Sequence, residues 1–126
     1  MNAIESIKAW LANEGYKATP DDEGGVIFKY QGFTMWAMHD ERDPLFLRIV
    51  MPNIYEVGEN RLQVFEALNI VNDNIKSVKG FISGNNQVWL AIEMYLDTSP
   101  EVEDFMERCL EILLVAGHKF VDNLGE

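Results

Sequence analysis

One cysteine, two histidines and ten basic residues are all that 126 residues provide, and each scarcity closes off a class of function. With Cys109 alone, no internal disulfide can form, and its place in an apolar helical stripe reads as a buried small hydrophobe. His39 and His118 lie far apart in sequence, and no serine or cysteine motif accompanies either one, so a nucleophile, base and orienting group have little to be built from. Gly24-Gly25 precedes a strand and no lysine follows at P-loop spacing; a dinucleotide fingerprint is absent too. The expectation is a chain without cofactor, metal or catalytic residues.

Long apolar runs are also missing. Nothing approaches the roughly 20 residues that span a bilayer, and the amino terminus lacks the basic start and apolar stretch of a signal peptide. A cytoplasmic protein is expected. The shortage of lysine and arginine against 21 acids leaves a net charge of -11, of which residues 98–126 carry -5 and residues 1–44 carry -4. Phosphate backbones and anionic lipid would be repelled, which argues against nucleic acid and membrane and for a basic or amphipathic polypeptide as partner.

What is present is a clear order of hydrophobic periods. Ile4, Ile7, Trp10 and Leu11 share one face of a helix from about Asn2 to Glu14, ended by Gly15. Residues 16–25 are polar and read as a loop, with Asp21-Asp22-Glu23 mobile in it. Val26–Tyr30 and Phe33–His39 form a hairpin about Gln31-Gly32, and a third strand, Leu45–Met51, is stopped by Pro52. Asn60 and Gln63 suggest a capping box for a second helix with the stripe Leu62, Phe65, Leu68 and Val71, ending near Ile75. Val78–Ser83 and Gln87–Leu96 are the last two strands. Thr98-Ser99-Pro100-Glu101 then opens a long helix, whose apolar stripe continues for about 36 Å. Gly117 within that helix permits close packing or marks a bend.

The expected architecture is a single α+β domain over residues 1–126, α-β-β-β-α-β-β-α. Its five-stranded antiparallel sheet has the order 1-2-3-5-4 and packs against the first and last helices. The order follows because a helical crossover makes strands three and four parallel, so strand five must separate them. Arg48 and Glu93 could then pair.

Alternation divides the sheet into two faces. Leu45, Leu47, Ile49, Met51, Val88, Leu90, Ile92, Met94 and Leu96 form an uncharged core face. The other face holds Trp36, Met38, Phe46, Arg48, Val50, Trp89, Ala91, Glu93 and Tyr95, too apolar for a plain solvated surface. Either the second helix covers it, or another subunit or a polypeptide does. The candidate partner-binding residues are Trp36, Met38, Phe46, Val50, Trp89 and Tyr95, extended along the edge strand by Val78 and Ile82.

The element order, the small acidic chain and two stretches, Ala67-Leu68-Asn69-Ile70-Val71-Asn72 and Leu96-Asp97-Thr98-Ser99-Pro100-Glu101, resemble the YbjN-like domain family, whose fold is that of the type III secretion chaperones. The resemblance implies a non-enzymatic, commonly dimeric domain, regulatory or holding a client peptide along apolar surface. A homodimer with a protein partner or client peptide is therefore expected. Two other readings stand beside it: a metal-dependent hydrolase using His39, Asp40 and Asp43, and a small-ligand sensor with a cleft between the second helix and the sheet.

Overall fold

Asn2 opens the first helix: its side-chain oxygen accepts from the Glu5 N–H at 2.9 Å, satisfying one of the free amides at the start of α1, Ala3–Asn13. The helix ends where expected. Gly15, at φ +87°, lets Tyr16 N–H reach Leu11 C=O and its own N–H reach Ala12 C=O, the paired bonds that a left-handed residue permits. Ile4, Ile7 and Leu11 are buried, and Trp10 stacks on Tyr16 at 6.2 Å. The structure is a computed structural model describing residues 2–125; Met1 and Glu126, the two ends of the expected domain, lie outside the described residues.

The strands are β1 Thr19–Pro20, β2 Val26–Tyr30, β3 Phe33–Met38, β4 Phe46–Glu56, β5 Val78–Ile82 and β6 Gln87–Tyr95, with α2 Arg61–Asn74 between β4 and β5. Adjacent strands in the one antiparallel sheet run β1-β2-β3-β4-β6-β5. Five strands were expected and six are found. The five expected ones keep their order, and the addition is β1, a two-residue edge segment from the stretch read as loop. Pro20 is compatible with that place because a strand edge needs no N–H from it.

β4 also departs from expectation. Pro52 does not stop it: the ladder to β6 shifts between Met51 and Tyr55, Asn53 turns to φ +53°, and pairing resumes at Tyr55↔Val88. A proline is tolerated in such a bulge, where no ladder bond is asked of it. Leu45, expected in the core, precedes the strand and is 41% exposed. The β2–β3 hairpin is as expected, with Tyr30↔Phe33 closing Gln31-Gly32 and both turn residues at positive φ.

In α2 the buried stripe is Val64, Ala67, Leu68 and Val71, while Leu62 and Phe65 are 70% and 47% exposed. The smaller side chains let the helix settle closely on its neighbours, and the Arg61 guanidinium covers the Phe65 ring at 5.3 Å. No side-chain cap forms at Asn60; its amide donates to the Tyr55 hydroxyl instead. The last helix is shorter than expected: a 3-10 turn, Val102–Asp104, precedes a break at Phe105, and α3 is Met106–Leu124, about 28 Å long. Gly117 lies within this unbroken helix and serves close packing, since a Cβ there would stand 3.1 Å from Met51 Sδ on β4.

The buried hydrophobic residues of the three helices share one cluster with Val26, Phe28, Met35, Ala37, Leu47, Ile49, Met51, Val88, Leu90 and Ile92. The second helix therefore joins the first and last on the same side of the sheet. Val50 and Ala91, though fully buried, fall outside that cluster: they face the other way.

Candidate functional site

Trp36 on β3 and Val50 on β4 are paired, as are Val50 and Ala91 on β6, and Phe81 on β5 and Trp89 on β6. Opposed residues in a ladder point to one face, so Trp36, Val50, Ala91, Trp89 and Phe81 form a continuous surface on the side without helices. The Trp36 and Trp89 rings lie 5.9 Å apart, and Phe81 is 6.1 Å from Trp89. At the next corner Phe46 and Tyr95, also opposed, approach to 5.2 Å. The large rings are half-buried by one another and by the floor of Val50 and Ala91, except Tyr95, which is 75% exposed.

Both indoles are held in place. Trp36 Nε1–H donates to Asp21 Oδ2 at 2.6 Å, and Trp89 Nε1–H donates to Asn53 Oδ1 at 2.9 Å. Asp21 also accepts from the Glu23 and Gly25 amides, at 2.8 and 2.7 Å. Burial pushes its carboxyl up, but these three bonds outweigh that and hold it below its ordinary value. The loop read as mobile is thus organised around Asp21. Gly25 is required there, because a Cβ would lie 2.5 Å from Asp21 Oδ2 and 2.6 Å from Ala37 C=O.

Polar groups sit among the rings. Arg48 opposes Glu93, with its Nε–H donating to Glu93 Oε2 at 2.6 Å, while Lys79 Nζ donates to Oε1 at 3.1 Å. Burial raises the Glu93 carboxyl, and the bonds from Lys79 and Arg48 more than reverse this, so it stays ionised below its usual range. Beyond Met38, Phe46 and Arg48 the face runs into a shallow depression of about 620 Å³ bordered by Asp22, Glu23 and Glu41.

Six of the eight candidate contact residues, Trp36, Met38, Phe46, Val50, Trp89 and Tyr95, fall on this face, Val50 as its buried floor. Val78 and Ile82 do not. They oppose Ile92 and Val88, so their side chains point to the helices; the edge strand contributes Lys79 and Phe81 instead. Placing Phe81 from the sequence needed the register of the β5–β6 hairpin, which the Ser83 N–H to Gln87 C=O bond sets. The Asp21 and Asn53 contacts carry no local signal, being 15 and 36 residues from their indoles.

The other readings fare differently. Among the described residues no three His, Cys, Asp or Glu side chains are grouped to hold a metal, and the His39–Asp43 turn is no exception. The cleft imagined between α2 and the sheet is filled at Gly80, where a Cβ would lie 2.8 Å from Leu68 Cδ2. Cys109 is buried, and its thiol is pushed up by that burial to about 11. His118 is exposed and meets the Phe33 ring edge-on at 5.7 Å. No helix among the described residues is long and apolar enough to cross a membrane.

A family model named YbjN, described as "putative bacterial sensory transduction regulator", matches residues 3–124. No curated protein matches the sequence. Among solved structures, an uncharacterized protein from Methanothermobacter thermautotrophicus is similar, with a TM-score of 0.70 at 13% identity over 96% of this chain and 95% of its own. YbjN from E. coli, described as a "putative transcription regulator", gives 0.71 at 14% identity over 90% and 87%. The Yersinia pestis type III secretion chaperone SycH, solved in complex with a stable fragment of YscM2, gives 0.53 at 10% identity over 96% and 95%.

Proposed function

The chain belongs to the YbjN family, and from that premise we propose that it is a non-catalytic, regulatory protein-binding module. A partner polypeptide, or a second copy of the chain, is held against the helix-free face of the sheet. The observation that carries this reading is the aromatic surface itself: Trp36 and Trp89 lie side by side with their N–H groups already bonded within the chain. Their rings need no polar partner from outside and lose little freedom on contact. Burying large apolar side chains contributes roughly 1.5–3 kcal/mol each, and tryptophan, tyrosine and arginine are the residues on which interface energy concentrates.

The contact surface proposed is Trp36, Met38, Phe46, Trp89 and Tyr95 over Val50, with Phe81, Arg48 and Lys79 at its margin. SycH, which shares the fold, was solved with a fragment of another protein, and that supports a polypeptide as the occupant.

Light scattering on the purified chain and affinity capture from native lysate, each with wild type and Trp36→Asp, test the proposal. The expected result is that the variant loses mass in solution, recovered proteins, or both. Equal mass and identical recovered proteins would overturn it.

A further inference from the structure

Gly80 is the middle residue of β5, which ends the sheet beyond β6. The Ser83 N–H to Gln87 C=O bond at 2.8 Å sets the phase of the ladder. In that phase Phe81 and Lys79 direct their backbone groups to β6, and Val78, Gly80 and Ile82 turn theirs outward. Outward groups on an edge strand are where a further strand adds.

At Gly80 that place is taken. Asn72 on α2 accepts the Gly80 N–H on Oδ1 at 2.8 Å and donates from Nδ2 to the Gly80 C=O at 3.2 Å. A carboxamide carries the same donor and acceptor as a peptide unit, so this one side chain makes both bonds that a neighbouring strand would make. The helix comes this near because residue 80 has no side chain; a Cβ would be 2.8 Å from Leu68 Cδ2 and 3.0 Å from Leu90 Cδ2. The opposite edge is blunted differently, by a β1 of two residues ending in proline.

We infer that Asn72 is a guard on the β5 edge, standing in for a strand and keeping the sheet from continuing into the β5 of a second copy. Little else in β5 would oppose that union. Two copies meeting antiparallel about Gly80 would set Val78 against Ile82, and would bring Lys79, the strand's one charge, opposite Phe81 rather than opposite itself. The inference is independent of what occupies the open face.

Amide hydrogen exchange by NMR, with sedimentation velocity over a concentration series, tests this on wild type and Asn72→Ala. In the wild type the Gly80 amide exchanges about tenfold more slowly than the outward amide of Ile82, as one retained hydrogen bond warrants. In dilute Asn72→Ala that protection is lost, and it returns as concentration and sedimentation coefficient rise together. A folded Asn72→Ala whose Gly80 exchange and sedimentation ignore concentration overturns the inference. So does a wild-type Gly80 amide as fast as that of Ile82, a comparison that stands even if the variant fails to fold.

Discussion

Arg48 and Glu93 stand directly opposite each other on β4 and β6, and the guanidinium bonds the carboxylate in the middle of the aromatic face. Lys79 reaches the same carboxylate from β5, so one acid ties three strands. The Glu93 carboxyl is held below its usual 4.5. Its contribution is therefore complete above that value and is lost as pH falls through the lower, folded-state value. Thermal unfolding followed from neutral pH down through the carboxylate range should show a shallower acid loss for Glu93→Gln than for wild type. At neutral pH the variant should cost no more than about 1 kcal/mol, because the cluster is partly solvated. Parallel acid profiles would refute the assignment.

Asp21 anchors an indole and two amides with one carboxylate. Asp21→Ala should cost about 1–3 kcal/mol in denaturant unfolding, the usual loss for bonds to a charged acceptor, and should alter Trp36 fluorescence. Asp21→Asn, which keeps an acceptor oxygen, should recover part of the stability. A stable alanine variant with unchanged emission would show that the loop is organised by something else.

Gly117 separates two effects. Alanine there gains about 1 kcal/mol of helix propensity and meets only the flexible end of Met51 at 3.1 Å, so Gly117→Ala should be close to neutral. Gly117→Val adds volume where α3 crosses β4 and should lose about 1–3 kcal/mol. Chemical denaturation measures both. A valine variant as stable as wild type would mean that the helix is not seated closely on the strand.

Cys109 offers a single-site report on unfolding. With its thiol pushed up to about 11 by burial, the thiolate fraction at neutral pH is about a hundredfold below that of a thiol at the ordinary 9.0. A thiol reagent should modify the native chain slowly and the denatured chain fast. Rapid native labelling would contradict the burial.

Much of the fold was legible in the sequence because strand alternation is a two-state signal. Once Tyr30 and Phe33 were paired across Gln31-Gly32, every side of β2 and β3 followed, and the crossover rule placed β6 between β4 and β5. What escaped depended on competition between near-equal choices. In α2, Leu62 and Phe65 outrank Val64 and Ala67 in hydrophobicity, yet the smaller pair gives the closer approach and wins. Pro52 reads as a stop until a bulge relieves it of its ladder bond. Of the candidate site, the residues of β3, β4 and β6 were placed correctly from alternation. Val78 and Ile82, offered as an extension along the edge strand, turn their side chains to the helices, because the register of β5 rests on one turn bond that the sequence does not spell out.

The gathering of α1, α2 and α3 on one side of the sheet has an evolutionary corollary. The packed core and the proposed contact surface lie on opposite faces of the same strands, alternating residue by residue. Positions on the open face can drift while those turned to the helices conserve the architecture, so divergent sequences retain this scaffold while changing the surface it displays.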